Sequence, residues 1–478
     1  MSGLDILVIL PLIIMSAAPV IMMLAVAVRR NYYFTFSLSM LFHFAAFISL
    51  FYIGIYSPRQ VTPLFIVDDY ALFYIGMILA ASFAVTLLSY NYLEKFGGNK
   101  EEYFILLFLA DLGASVLVVS NHLISLFLGL EVLSVSLYVL ISYFHNYKNA
   151  IEAGIKYLIL AAASSAFLLF GMALVYAGTG TMSFPGIGAM LRLSGITPLI
   201  AAGLAIMVVG FGFKLAVVPF HMWTPDVYEG ASAPVSGFIA TISKGGMFAV
   251  LLRFFFDING YGSHSLIILF SVIAIASMLI GNWLAITQNN VKRILAYSSI
   301  AHLGYLLVAF IAGGVNAVQA VTFYLAAYFI TTLGAFGVVT IMSDEKREAD
   351  SIEDYRGLFW KRPIIAGVFT AMLFSLAGIP LTVGFMGKYF LLSAGVNKSE
   401  WLLVIILVLS SVIGLYYYLR IITAMFSKGA EVSPEKQLKP RFSLPASTAV
   451  FVLTIMLVWY GVYPTGLLSI IKLIAVNF

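Results

Sequence analysis

Apolar residues run through this chain in long stretches separated by short polar connections. A stretch needs about 20 such residues to cross a hydrocarbon layer as a helix, at roughly 1.5 Å of rise each. The sequence therefore predicts fourteen spans, at about 4–28, 33–56, 69–92, 103–120, 122–143, 153–177, 198–222, 232–256, 265–287, 292–312, 315–342, 363–395, 400–426 and 446–471. Only Ser120, Asn121 and His122 separate the fourth span from the fifth, which predicts a tight helical hairpin. A Gly/Ser/Thr/Pro-rich loop is expected around 178–200. No basic region precedes the first stretch, so it reads as a retained span rather than a cleaved signal.

Two spans carry helix breakers. In GFGFKLAVVPFHMWTP, Pro219 has no N–H to donate to the Leu215 carbonyl. In SLAGIPLTVGFMGKYF, Pro380 and the glycines at 378, 384 and 387 weaken a 33-residue stretch too long for one straight crossing. Irregular backbone at membrane depth is tolerated only where protein or a hydrated cavity satisfies it, and paired interruptions in two halves point to transporter repeats. The breaks fall in spans seven and twelve, five apart. Five is odd, so a copy of spans 4–8 repeated at spans 9–13 is inverted in the membrane. The organisation expected is residues 1–100 for the first three spans, 101–260 for the first repeat, 261–427 for the inverted repeat, and 428–478 for a loop and the last span.

Composition agrees with this picture. Of 478 residues, 62% are hydrophobic and 10% charged, and the mean hydropathy is +1.03. This is the membrane class, read as one all-α polytopic bundle. With no cysteine, disulfides, iron–sulfur ligation and thiolate zinc are excluded. The net charge of +5 is no nucleic-acid footprint, because the basic residues lie in separate short loops. Seventeen of the 26 Lys and Arg fall in or beside connections after odd-numbered spans, among them Lys95, Lys148, Lys292, Arg293, Lys346, Lys436, Lys439 and Arg441. Five fall on the other side and four within spans. The bias puts both termini outside and the 343–362 and 427–442 loops in the cytoplasm.

The candidate chemistry lies in charged side chains deep within apolar stretches: Glu131, Lys214, Lys244 and Lys388. Each costs roughly 2.5–3.5 kcal/mol at mid-membrane on insertion scales, so together they suggest a route for protons or ions. A structural ion pair or a snorkelled side chain is the simpler reading of each. A buried amine can exchange its proton where a guanidinium cannot. Glu131 with Lys214 is therefore a candidate switch: closed, it holds the proton on the lysine; opened, it passes the proton to Lys244. His302 is the candidate link between Lys244 and Lys388. His221 neighbours the break at Pro219 and either joins a relay or binds a carbonyl there. His122 and His145 read as interfacial, Asp111 as the partner of a neighbouring polar group, and Arg420 as a snorkelling side chain. Asp68 and Asp69 read as helix-start residues. The 343–362 run reads as a solvated loop that touches a partner subunit.

KLAVVPFHMWTPDVYEGASAPVSGFIATISK (214–244) with NNVKRILAYSSIAHLGYLLVAF (289–310) resembles the antiporter-like membrane subunits of complex I. PDVYEG, with Asp226 and Glu229, looks like the subunit N type (subunit 2 in mitochondria) rather than the L and M types. The resemblance implies fourteen helices in two inverted five-helix repeats, each with a broken helix. It implies proton translocation through Glu131, Lys214, Lys244 and Lys388, with His302 in the central relay. The lateral helix of subunit L is not expected. The implied partners are other membrane subunits, of the L and M types and smaller, in the lipid bilayer of a prokaryotic plasma membrane. Relatives serve archaeal dehydrogenases that oxidise reduced deazaflavin or ferredoxin, and the electron donor here is left open. No Gly-rich dinucleotide fingerprint follows a strand, so no cofactor is expected in this chain and redox chemistry is assigned to other subunits. A proton-pumping subunit of a complex I-like respiratory dehydrogenase is the leading expectation. A subunit of a multisubunit sodium/proton antiporter and a non-transporting scaffold are the alternatives. A haem protein would need paired axial ligands, which the six histidines do not suggest.

Overall fold

In the computed structural model, residues 3–94, 99–144, 149–344, 347–428 and 443–478 are described. They are almost entirely helical, and thirteen helices are long and apolar enough to cross a membrane. The all-α polytopic fold is as expected. Lys95, Lys148, Lys346, Lys436, Lys439, Arg441, His145 and most of the 427–442 loop lie outside the described residues.

In chain order, α1 is Leu10–Val28, α2 Tyr32–Ile53, α3 Asp69–Glu94, α4 Glu102–Val119, α5 Leu123–Ser142 and α6 Ala150–Thr179. Then follow α7 Phe184–Ser194, α8 Pro198–Leu215, α9 Trp223–Gly230, α10 Ala233–Asp257, α11 His264–Ile286, α12 Val291–Ala312 and α13 Gly314–Met342. The last five are α14 Pro363–Ala377, α15 Val383–Asn397, α16 Trp401–Phe426, α17 Leu444–Val462 and α18 Thr465–Val476. Helix starts are written locally. Asn31, Thr197, Asn290, Thr382 and Ser443 each accept an N–H from the first turn of the helix they precede. Proline stands first in α8 and α14 and second in α17, where its missing N–H costs nothing.

The two expected helix breaks are present, and other elements differ from the sequence pattern. The expected twelfth span is divided into α14 and α15, because Gly378 and Leu381 take left-handed backbone (φ 86° and 70°) on either side of Pro380. The seventh ends early, at Leu215: Ala216 is left-handed (φ 58°) and the chain turns through Pro219 before α9 begins. The segment expected as a loop at 178–200 contains α7, started by the Ser183 side chain on the Gly186 N–H. The last span ends at Val462, and α18 follows as a separate helix. A two-stranded hairpin, β1 Arg59–Val61 with β2 Phe65–Val67, precedes α3 with Gln60 opposite Ile66.

Three helices, α10, α12 and α13, are buried along almost their whole length and form the centre of the bundle. Apolar residues around a helix's full circumference mean it is enclosed by other helices rather than facing solvent on one side. Their polar residues therefore meet other helices, and Lys244, Ser299, His302, Tyr324 and Tyr328 all come from this core. α4 and α5 approach closely where a Cβ on Gly113 would lie 2.4 Å from the Leu133 N atom. Small residues at such crossings let transmembrane backbones pack.

Candidate functional site

Glu131 and Lys214 stand on α5 and α8, and each is held by its own serine. Ser165 Oγ of α6 donates to Glu131 Oε1 at 2.5 Å. Lys214 Nζ donates to Ser134 Oγ at 2.6 Å, and that hydroxyl passes its hydrogen to the Leu130 carbonyl. The ammonium also lies 5.5 Å from the Tyr157 ring centre and 5.6 Å from that of Phe213. Among the described residues the two charges form no ion pair within 4.0 Å, and each bonds its own serine instead. The break positions Lys214 in the last turn of α8, where the Phe213 carbonyl accepts both the Ala216 N–H and Trp223 Nε1, each at 3.0 Å.

Lys244 follows a π-helical turn, Ile239–Ser243, inside α10. Such widened turns leave backbone groups out of the regular ladder and are frequent at functional sites. Its Nζ donates to Ser299 Oγ of α12 at 2.6 Å, and Tyr328 OH of α13 donates to the same oxygen at 2.7 Å. Ser299 therefore spends both lone pairs on donors, and its own hydrogen is left for Tyr228 OH, at 3.5 Å. One helical turn on, His302 lies between two phenols, with Nδ1 2.7 Å from Tyr324 OH and Nε2 3.3 Å from Tyr418 OH. Tyr418 in turn bonds Ser298. The His302 ring also packs on Tyr328 and Tyr305, at 5.5 Å and 5.3 Å between centres.

Lys388 of α15 reaches back to the end of α14. Its Nζ donates to the Leu376 and Ala377 carbonyls, at 2.9 Å and 2.8 Å, and to Ser411 Oγ at 2.7 Å. Three acceptors match the three hydrogens of an ammonium, and a helix C-terminus carries the partial negative charge that suits it. Tyr305 separates this group from His302: its ring centre lies 5.2 Å from Lys388 Nζ, and its hydroxyl accepts from Asn282 Nδ2 at 3.1 Å. Asn282 also binds Ser410 and Tyr417, a polar knot that joins α11, α12 and α16.

The lysines, Glu131 and His302 thus lie in a series of small polar groups, and among the described residues no direct hydrogen bond joins the Lys214 group to the Lys244 group, whereas Tyr418 bonds Tyr417 and so links the His302 group to the Asn282 knot. His221, at the turn after α8, has an unpartnered Nδ1 and bonds none of them. Ser134, Ser165, Ser299, Tyr324, Tyr328, Tyr418, Asn282 and Ser411 were not singled out from sequence. The available signal was position: Ser134 follows Glu131 by three residues, and Ser298 and Ser299 precede His302 by four and three.

Other expectations change with the contacts. Arg420 does not simply snorkel: its guanidinium caps the end of α11, taking the Ile286 and Gln288 carbonyls at 2.6 Å and 3.1 Å and Asn289 Oδ1 at 2.6 Å. Asp68 caps α3 through the Ala71 N–H at 2.8 Å, and also pairs with both terminal nitrogens of Arg253, at 2.7 Å and 2.9 Å. The 343–362 run is not merely solvated. Its Glu348 pairs with fully buried Lys292, accepts from Tyr92 OH at 2.6 Å, and caps the start of α10 at the Ala233 N–H. Arg293 binds Asp226 and Glu229 at 2.8 Å and 2.7 Å, so the two stretches that carry the resemblance are tied by ion pairs. Asp111 has the expected polar neighbours, Ser82 and His43.

The sequence profile described as NADH:quinone oxidoreductase/Mrp antiporter, TM, matches residues 120–414. A chain of respiratory complex I from Thermus thermophilus, solved with bound aureothin, is 30% identical and superposes with a TM-score of 0.82, over 96% of this chain and 98% of that one. A chain of the Mrp complex from Dietzia sp. DQ12-45-1b superposes at 0.87 with 19% identity, over 100% and 98% of the two chains. A chain of the membrane-bound sulfane sulfur reductase, an archaeal respiratory membrane complex, gives 0.83 with 24% identity, over 99% and 97%. The last two are likenesses of fold. The profile covers more than half of the chain and the complex I likeness nearly all of it: the protein belongs to the NADH:quinone oxidoreductase/Mrp antiporter membrane family.

Proposed function

We propose that this chain is a proton-translocating, subunit N-like membrane subunit of a complex I-like respiratory dehydrogenase. The observation that carries the reading is the set of three enclosed lysines, each donating to a serine hydroxyl, with His302 and its phenols between the second and third. Ammonium groups inside a bundle are costly, and hydroxyls that both accept and donate are what a proton path needs.

In this reading the Glu131 carboxylate, now on Ser165, swings toward Lys214 to hold its proton and away to release it. The proton moves to Lys244, across Ser299, Tyr328 and His302, and past Tyr305 to Lys388. Water fills the gaps between groups. The helix breaks at Pro219 and Pro380 are the places where the backbone can rearrange. Fourteen crossings result if α14 and α15 make one broken span, with inverted repeats at 101–260 and 261–427. Both termini then lie outside a prokaryotic plasma membrane, by the bias of Lys and Arg. Subunits of the L and M types and smaller membrane subunits are the partners, and the redox cofactors belong to other subunits, with quinone as a candidate acceptor.

The test is ion uptake by the purified complex in vesicles, followed with an internal pH dye during turnover. Uptake of protons in sodium-free buffer is expected. Uptake that starts only when sodium is supplied contradicts the reading and indicates sodium/proton exchange.

A further inference from the structure

Asp111 of α4 is used by none of these steps, although it is fully enclosed, as is His43 of α2. His43 Nε2 lies 3.3 Å from Asp111 Oδ2 and 3.1 Å from Ser82 Oγ of α3, and that hydroxyl stands 2.5 Å from the same Oδ2. On its other side, His43 Nδ1 is 2.9 Å from the Ser39 carbonyl oxygen. A carbonyl only accepts, so Nδ1 carries a hydrogen.

That contact determines a proton count. With Asp111 ionised and His43 neutral, Nε2 and Oδ2 are two acceptors facing each other, and Ser82 has one hydrogen to share between them. One acceptor is then left bare, and a single negative charge lies uncompensated among apolar helices. One added proton removes both costs, whether it rests on the imidazole or on the carboxyl.

The surroundings hold further unmet hydrogen-bonding capacity. Asp111 Oδ1 and the hydroxyls of Ser39, Thr86 and Ser115 are buried without a protein partner. Ser39, Thr86 and Ser115 each sit one helical turn from His43, Ser82 and Asp111, one on each of the three helices. Orphaned buried polar atoms in such a cluster call for ordered water. One turn beyond Thr86, Ser89 Oγ meets Tyr103 OH at 2.8 Å, which extends the hydroxyls along α3 and α4 toward the end where Glu102 pairs with Arg30. Of the other elements packed on α4, α1 brings no titratable side chain. α5 brings Glu131 and Tyr138, and α10 brings Lys244, Arg253 and Asp257. Glu131, Lys244 and Arg253 are each held by a partner of their own.

We propose that His43, Ser82 and Asp111 form a second buried proton-binding site, separate from the lysine series, hydrated beside Ser39, Thr86 and Ser115 and reached from the Tyr103 end of α4. Its ligand is a proton delivered by water. The site is defined by an acid–imidazole pair across three helices and does not depend on the lysine relay.

The test is difference infrared spectroscopy on the full complex in lipid nanodiscs, between ordinary and heavy water and after pH jumps. A deuterium-sensitive carboxyl–imidazole signal is expected in the wild type, lost in Asp111→Asn, shifted in Ser82→Ala, and unchanged by sodium at fixed pH. It also persists in Lys214→Ala, so its fate is independent of the relay. Identical spectra for wild type and an Asp111→Asn protein of equal thermal midpoint overturn the proposal, as does displacement of the signal by sodium. If Asp111→Asn does not fold, His43→Gln serves in its place: loss of the imidazole component with a shifted carboxyl supports the site, and an unaltered spectrum refutes it.

Discussion

Lys388 occupies the space that a side chain on Gly378 would need: a Cβ there would stand 2.8 Å from Lys388 Cδ and 3.2 Å from Nζ. Gly378 also holds a φ of 86°, in the left-handed region that other residues enter at a cost of about 1–3 kcal/mol. Gly378→Ala is therefore expected to push the ammonium off the Leu376 and Ala377 carbonyls and to lower proton uptake about tenfold, toward the level of Lys388→Ala. Gly367→Ala, with open space around the new methyl, should leave uptake unchanged. Equal uptake in the two alanine variants at Gly378 and Gly367 would show that Lys388 need not sit on that helix end.

Ser299 is the shared acceptor of Lys244 and Tyr328. Its removal leaves two buried donors unsatisfied, at about 1–3 kcal/mol each. Ser299→Ala should lower the thermal midpoint and slow uptake, while Ser299→Thr keeps the hydroxyl and restores most of both. Failure of threonine to rescue, with a midpoint at the wild-type value, would mean that the hydroxyl is not what matters.

The Asp68–Arg253 pair predicts a pH dependence of stability. Burial by itself raises the Asp68 carboxyl, but the charge and hydrogen bonds of Arg253, with the Ala71 N–H, outweigh it and hold the group below the usual carboxylate range. A depressed folded value contributes stability that is complete above the unfolded value, near 4, and is lost as pH falls through the folded one. Breaking such a pair costs about 3–5 kcal/mol, because Arg253 is left buried and unpaired. Unfolding curves of wild type and Asp68→Asn should therefore be separated by a constant gap above about pH 5 that narrows only below about pH 4. A gap that narrows near neutral pH contradicts this.

The charged groups were legible because apolar surroundings make a lone Lys or Glu conspicuous, and both breaks were legible because proline lacks a donor. Their partners were not. Hydroxyls are common in membrane helices, where they bond their own i−4 carbonyl as Ser134 does. Nothing local marks Ser299 as the residue that meets Lys244, which is 55 positions away and on another helix. Asp111 read as the partner of a neighbouring polar group, but His43 and Ser82 escape sequence reading for the same reason, since the pairing exists only once α2, α3 and α4 pack. α7 was hidden by Pro185, Gly186 and Gly188, which read as loop although proline suits a first helical turn. Arg420 read as snorkelling because two of its acceptors are backbone carbonyls, which have no sequence signature, and the third, Asn289 Oδ1, is 131 positions away.

Proton uptake per turnover by vesicles containing the Lys214→Ala complex, with assembly checked on a native gel, tests the proposed relay most directly. The account predicts a fully assembled complex whose uptake falls well below wild type, because the Ser134 hydroxyl then has no ammonium to hold for Glu131. Wild-type uptake in a fully assembled variant would contradict it.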